Sequence, residues 1–420
     1  VETDSTLLLL EIVPVFCFGY PFVMAFYWMI GAFLFWVGAE RHYPPLERPP
    51  ELPHYPPISI VVPCHNEGDT ADETFAALGN VDYPDFEIVA VNDGSRDNTG
   101  AILEALALRM ERLRVVHLAK NQGKATAMNV GALLARHELL VLIDGDALLD
   151  PHALRWIAWH FRLPHLGGLT GNPRIRNRTS ILGRLQVGEF SSIVGLIKRA
   201  QATYARLFTV SGVICAFRKR ALADAGWWSP RTLTDDVDVT WRIQVAGWRI
   251  TYAPNAVVWI LMPETLRGLW RQRLRWAEGG GQMLIDNFAP MMRGAAPSLL
   301  PVYINAALSV LWSYCIILTT LLGTLHGIGL PVLTRVPTFS LIPEWYGLTL
   351  CVTYLVQAVV STTIERRFEP GMMRSLFWII WYPLAFWALS ALTAAVALPR
   401  AAILKRAGRT TWVSPDRGLR

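Results

Sequence analysis

Membrane-length apolar stretches at both ends of this chain frame a central segment that carries most of its acidic residues, and that layout restricts the folds available to it. Ile12–Val37 is almost uncharged and long enough to cross about 30 Å of hydrocarbon. Leu299–Leu322, Trp345–Thr363 and Ser375–Pro399 follow in the last third. The acidic residues gather between Glu40 and Asp286, which predicts a water-facing domain inserted between membrane-embedded ends. A hydrophobic fraction of 52%, 17 tryptophans and a charged fraction of 17% agree with that division and argue against a wholly soluble enzyme. The net charge of +6 reads as arginine beside lipid headgroups. No nucleic-acid motif accompanies it, so nucleic acid is not an expected partner.

Cys17, Cys64, Cys215, Cys315 and Cys351 are scattered without paired metal-ligand spacing, and reduced thiols are expected. The chain opens on Val1 rather than Met, as expected where upstream residues have been removed; whether a further span precedes it is open.

The organisation follows from composition. Residues 1–43 form the first span and its flank, closed by Trp36, Glu40, Arg41 and His42. Residues 44–57 are a proline-rich linker. From 58 to 262 short apolar runs alternate with helical periodicity. Ile58–Val62, Glu87–Val91, Val115–Leu118 and Leu139–Ile143 read as buried parallel strands, and Thr70–Leu78, Thr99–Arg112 and Lys124–Ala135 as helices. Repeated βα units build an α/β, open, doubly wound sheet whose ligands bind beyond the carboxyl ends of the strands. Residues 263–297 are amphipathic and basic, with Leu266, Leu269, Trp270 and Leu274 against Arg267, Arg271 and Arg273, as in helices lying at a membrane interface. Residues 298–399 are the C-terminal membrane region and 400–420 a basic tail.

The loop after the second span carries Arg335, whereas Glu365, Arg366, Arg367 and Arg374 follow the third, so the positive-inside rule puts the sheet domain and the Arg366 loop in the cytoplasm. The last stretch admits two routings. A single crossing leaves Arg400, Lys405, Arg406 and Arg409 outside, against the rule. A reversal at Pro383 gives arms of about 12 residues, too short to cross. The side of the C-terminus stays open.

The candidate chemistry sits at strand ends. Asp144 and Asp146 follow Leu139–Ile143 at a spacing that directs both to one side, and two carboxylates can hold a divalent cation, Mg²⁺ or Mn²⁺, against a diphosphate. As a bare Asp-Gly turn the same residues would be bland. Asp93, in Asn92-Asp93-Gly94-Ser95, could bond the base or ribose of a nucleotide. Pro63, His65, Asn66 and Glu67 end the first strand and line the same expected pocket, with His65 equally readable as structural. Lys124 opens a helix within reach of a phosphate, although Asn121-Gln122-Gly123-Lys124 is not a full phosphate loop. Asp235, Asp236 and Asp238 cluster before a helix starting near Val237, where acidic residues ordinarily cap; three exceed what one cap needs, and one could act as general base. Gln272, Arg275 and Trp276 share a helix face, suited to a diphosphate and a sugar ring. Their bland counterpart is an interfacial Trp with a snorkelling Arg.

With these residues placed, the chain resembles the family-2 processive glycosyltransferases over nearly its whole length. The Asp-x-Asp and Gln-x-x-Arg-Trp elements are shared with cellulose, chitin and hyaluronan synthases. Thr170-Gly171-Asn172-Pro173-Arg174, Gln186-Val187-Gly188-Glu189, Ile197-Lys198-Arg199, Trp259–Thr265 and Trp412–Gly418 resemble most the bacterial poly-β-1,6-N-acetyl-D-glucosamine synthases of biofilm matrix. The resemblance implies a GT-A-like domain between transmembrane helices in the bacterial inner membrane. It implies UDP-N-acetylglucosamine as donor, a growing polysaccharide as acceptor, and export of the product. By the family's pattern Asp93 contacts uridine, Asp144 and Asp146 hold nucleotide and metal, and Asp236 is the base. Gln272, Arg275 and Trp276 then clamp diphosphate and acceptor. One departure is Asp235, where the family has Glu, so its acceptor contact is one methylene short. Similar synthases act with a small membrane partner and respond to cyclic di-GMP; this chain has no separate domain for that nucleotide, so sensing would fall on the membrane assembly. The alternatives are another β-linked polysaccharide synthase, a single-sugar transferase acting on a lipid phosphate, and a non-catalytic export scaffold.

Overall fold

The computed structural model of the protein describes residues 2–204, 206–328, 345–379, 381 and 386–403, and their side chains except at 2–11, 191–193, 345 and 346. Arg335, Pro383, Lys405, Arg406, Arg409 and the Trp412–Gly418 run lie outside the described residues.

The chain starts with the long helix α1 (Glu2–Gly38). The alternating region then forms β1 (Ile58–Cys64), α2 (Ala71–Gly79), β2 (Phe86–Asp93), α3 (Thr99–Ala107), β3 (Leu113–Leu118), α4 (Lys124–Leu134) and β4 (Leu139–Ile143). Every residue of β1, β2 and β4 is buried, as near-continuous apolar runs covered on both faces require. Helix α3 stops short of Arg112 because the chain must reverse into β3, which begins ahead of the expected Val115.

The second half adds β5 (Leu148–Leu149), α5 (Ala153–Phe161), β6 (Leu166–Ile175), α6 (Ile181–Gly188), α7 (Gly195–Thr203), β7 (Ile214–Arg218), α8 (Lys219–Asp224), α9 (Asp235–Val245) and β8 (Arg249–Ile260). A π-helical turn, Glu189–Val194, joins α6 to α7. The eight strands run β3-β2-β1-β4-β7-β6-β8-β5. The first four are parallel, as expected. Strand β7 is antiparallel to both β4 and β6, so the sheet is mixed beyond β4. Parallel pairing resumes between β6 and β8.

Beyond the sheet lie α10 (Leu266–Met292), α11 (Leu300–Gly327), α12 (Trp345–Glu365), α13 (Leu376–Ile379) and α14 (Ala388–Ile403). Among the described residues three helices are long and apolar enough to cross a membrane: Ile12–His42, Pro297–Gly327 and Gly347–Glu365. Ala388–Ile403 is a shorter apolar helix, α14, that packs along α10 and α11.

Two connections seat the sheet domain on the spans. Helix α7 packs along α1, where the Tyr27 and Tyr204 rings stack at 4.5 Å. A buried ion network joins Arg199 of α7 to Glu40 and Glu365, and Arg174 of β6 to Glu365 and Glu369. Tyr20, Trp28, Trp312, Gln357, Trp387 and Ser390 help line a cavity of about 230 Å³ among α1, α11, α12 and α14, with Ile197 of α7 also on its wall.

Candidate active site

The parallel strands β1, β2 and β4 end on one edge of the sheet. At β4, Asp144 and Asp146 are both half-buried around Gly145. A Cβ built on Gly145 would lie 3.0 Å from Glu67 Cγ and 3.3 Å from the Pro63 carbonyl, so the ends of β1 and β4 abut. Glu67 is buried, and its carboxylate accepts from Thr70 Oγ1 at 3.1 Å. Asn66 adopts φ 54°; its side-chain oxygen accepts from Arg96 N–H at 2.9 Å. His65 bridges β1 to β2 through Nδ1 and the Asp93 carbonyl, at 2.8 Å. This contact gives it a structural position.

Asp93, expected on a base or ribose, is fully buried. Its two carboxylate oxygens accept from the N–H groups of Gln122 (2.7 Å) and Gly123 (2.8 Å). It thereby ties down the loop that presents Lys124 at the start of α4.

Lys124 reaches the centre of the site. Its ammonium pairs with Asp144 and donates to the Gly212 carbonyl at 3.1 Å. Gly212 in turn lies against Asp236, with the position of its absent Cβ 3.3 Å from Asp236 Oδ2. Burial opposes the ammonium charge, but Asp144, Asp235 and Asp236 outweigh it and raise the Lys124 pKa. Asp235 is pushed up to about 6, first by burial and then by Asp236, with Lys124 and Arg275 pulling the other way. Helix α9 begins at Asp235, ahead of the expected Val237, which puts Asp235 and Asp236 in its first turn. Asp238 faces away, paired with Arg242.

Helix α10 brings Arg275 within electrostatic reach of Asp235, with Gln272 and Trp276 at neighbouring positions of the same helix. The approach is close because Gly279 has no side chain: a Cβ there would lie 2.7 Å from Thr234 Cβ. Gln272 Oε1 is buried without a hydrogen-bond partner, while Arg275 and Trp276 are exposed. Arg273, expected on the basic face, is instead buried and paired with Glu189. A carboxylate 84 positions upstream in the chain is what draws it inward.

Sequence reasoning gave no chemistry to Lys198, Thr170 or Glu189. Lys198 is buried, donates to Thr170 Oγ1 at 2.8 Å, and is lowered to about 8 by burial against the pull of Asp236. Thr170 also accepts from Ser211 N–H at 2.8 Å, which fixes the turn next to Gly212. The available signal was their place in the short runs shared with similar synthases.

Residues 56–279 match the model for the glycosyltransferase like family 2. The chain belongs to glycosyltransferase family 2. Among family members, a poly-beta-1,6-N-acetyl-D-glucosamine synthase of Staphylococcus epidermidis is 35% identical over 410 residues, covering 96% of this chain and 98% of that one. The synthase of the same description from Staphylococcus aureus is 35% identical over 406 residues with the same coverage. A mannosyltransferase of Pyrobaculum calidifontis, solved with GDP-Man and Mn²⁺, superposes with a TM-score of 0.60 at 20% identity, covering 94% of this chain and 98% of that one. That likeness establishes the GT-A-like fold. This family-2 chain is therefore a glycosyltransferase with a mixed sheet, flanking helices and, among the described residues, three helices of membrane-spanning length.

Proposed function

We propose that this enzyme is an inner-membrane synthase that polymerises N-acetylglucosamine from UDP-N-acetylglucosamine into a β-1,6-linked polysaccharide, with its sheet domain in the cytoplasm. The observation that carries the proposal is convergence. Asp144, Lys124, Gly212, Asp236, Asp235 and Arg275 form one linked cluster although they come from five separate segments. The staphylococcal synthases, similar over almost the whole chain, support the donor and linkage.

In this reading Asp236 takes the proton from the acceptor 6-hydroxyl. That oxygen bonds to the anomeric carbon from the face opposite the leaving group, and the carbon–oxygen bond to UDP breaks with its electron pair on the diphosphate. Arg275 offsets the growing negative charge. Trp276 offers its indole face to the acceptor ring, and Pro63, Asn66, Glu67 and Asp93 shape and brace the nucleotide side of the pocket. The residues fit a divalent cation: Asp144 and Asp146 supply hard oxygen donors, and Asp144 already attracts the Lys124 ammonium. Among the described residues no group of three or more His, Cys, Asp and Glu forms a cage of its own, and two carboxylates with substrate phosphates is a common Mg²⁺ arrangement. When bound, Mg²⁺ or Mn²⁺ would offset the diphosphate charge.

The cavity among the spans supports coupled export. Tryptophans line it together with the polar side chains of Gln357, Ser390 and Ser309, a lining suited to sugar rings and their hydroxyls. A hydroxyl-rich polymer entering bare hydrocarbon would lose hydrogen bonds to water without replacement. A small membrane partner and a response to cyclic di-GMP, both implied by the resemblance, belong to the assembly around these spans. The test is incubation of the reconstituted protein with a panel of UDP-sugars, with and without chelator, followed by linkage analysis. A metal-dependent 1,6-linked N-acetylglucosamine polymer is expected. A polymer of another sugar or linkage refutes the donor assignment, and single-sugar products refute processivity.

A further inference from the structure

The π-helical turn begins at Glu189, and such interruptions often mark functional sites. Glu189 is buried there with its carboxylate on Arg273 Nη2. Burial pushes the Glu189 carboxyl up, and Arg273 pulls it back. The Arg273 guanidinium lies 4.2 Å from the centroid of the Trp276 ring and 5.7 Å from that of Phe386. Trp276 keeps 37% of its surface exposed, so the ring is backed by a cation while part of it remains open. Beside it, Gln272 Oε1 is a buried acceptor without a partner. An indole backed on one side, with an unsatisfied acceptor nearby, is suited to the apolar face and hydroxyls of a sugar ring.

We propose that Glu189 is a positioning residue for the acceptor: through Arg273 it fixes the Trp276 indole as the platform on which the terminal sugar of the growing chain stacks. The inference rests on the reading of Trp276 given above and extends it. Glu189 touches neither substrate. Its carboxylate orients the guanidinium, the guanidinium supports the ring, and the ring sets the acceptor hydroxyl toward Asp236. The neighbouring charged groups at the other end of the pocket, Lys124, Asp235 and Arg275, act on the donor and base side, while the Glu189 carboxylate pairs with Arg273.

The experiment uses the full chain in proteoliposomes, with a short β-linked N-acetylglucosamine oligosaccharide as primer. Primer KM is measured alongside UDP release in the absence of primer. Glu189→Gln should raise primer KM about tenfold while unprimed UDP release stays within about twofold. Because Glu189 acts through Arg273, the double variant Glu189→Gln/Arg273→Met should be no worse than Arg273→Met alone. An unchanged primer KM, additive losses, or an equal fall in primed and unprimed rates overturns the proposal. If Glu189→Gln fails to accumulate in the membrane, Arg273→Lys, which keeps the charge but loses the planar fork, decides the question by the same readouts. Trp276→Ala separates the two levels. A normal primer KM there refutes the platform itself, whereas a raised one with a silent Glu189→Gln refutes only the inference about Glu189.

Discussion

Gly279 of α10 lies so close to Thr234 that a methyl group on its Cα would sit 2.7 Å from Thr234 Cβ. This approach brings the helix bearing Arg275 up to the acidic start of α9, and it gives the site a steric test. Gly280, the next residue, has nothing within 4 Å of its absent Cβ. Gly279→Ala should therefore lower transferase activity at least tenfold and destabilise the domain by about 1–3 kcal/mol through overpacking. Gly280→Ala should leave both nearly unchanged. Membrane assays and melting curves of the two variants provide the check, and equal behaviour would contradict the close approach.

Asp93 makes a separable prediction. With both oxygens on backbone N–H groups, Asp93→Ala removes two charge-assisted hydrogen bonds that brace the loop before α4, which costs about 1–3 kcal/mol. The loss should be visible as a lower melting temperature without any nucleotide present. A residue that met only the uridine would leave the donor-free protein's melting unchanged and alter only donor KM.

The pH dependence follows from Asp235. Its folded-state pKa is raised from 3.8 to about 6, so the protonated form is the one the fold favours. The resulting stabilisation is fully present below the ordinary value and is lost as pH rises through about 6. Asp235→Asn, uncharged throughout, should melt above the wild type at pH 8, and that advantage should disappear by pH 4. Melting curves at the two pH values check the sign; an advantage of the same size at both contradicts it.

The buried network centred on Glu365 should be intolerant of a missing partner. Glu365 pairs with both Arg174 and Arg199, and all three are buried. Glu365→Ala removes the carboxylate shared by two buried guanidinium groups at the junction of α12, α7 and β6, leaving Arg199 on Glu40 and Arg174 on Glu369 with one positive charge uncompensated, a loss of about 3–5 kcal/mol. Chemical denaturation of the detergent-solubilised protein measures it, and a loss below about 1 kcal/mol would mean that water reaches these arginines.

The first half of the sheet was legible because buried parallel strands announce themselves as apolar, β-branched runs; β4 ends where its run ends, and β1 and β2 continue two residues past theirs, to Cys64 and Asp93, because pairing with neighbouring strands carries them on. Strand β6 gave no such signal: Gly167, Gly168, Gly171 and Pro173 weaken its local propensity, and its neighbours in the sheet supply what the sequence lacks. The acidic and Gln-x-x-Arg-Trp elements were recognisable one by one, yet their meeting depends on Lys124 and Gly279, which carry no local signature of that contact. Arg273 was misassigned to the polar face because its partner Glu189 is distant in sequence. Helical periodicity sees only neighbours within a turn or two.

The account stands or falls on Asp236 as the proton acceptor. The decisive measurement is the rate of labelled polymer formation from UDP-N-acetylglucosamine by reconstituted wild type and Asp236→Asn, with donor affinity measured on the same preparations. A fall of about 10²–10⁴-fold in rate, with donor affinity held within about twofold, is the predicted result. Polymer formation by Asp236→Asn at the wild-type rate would contradict it.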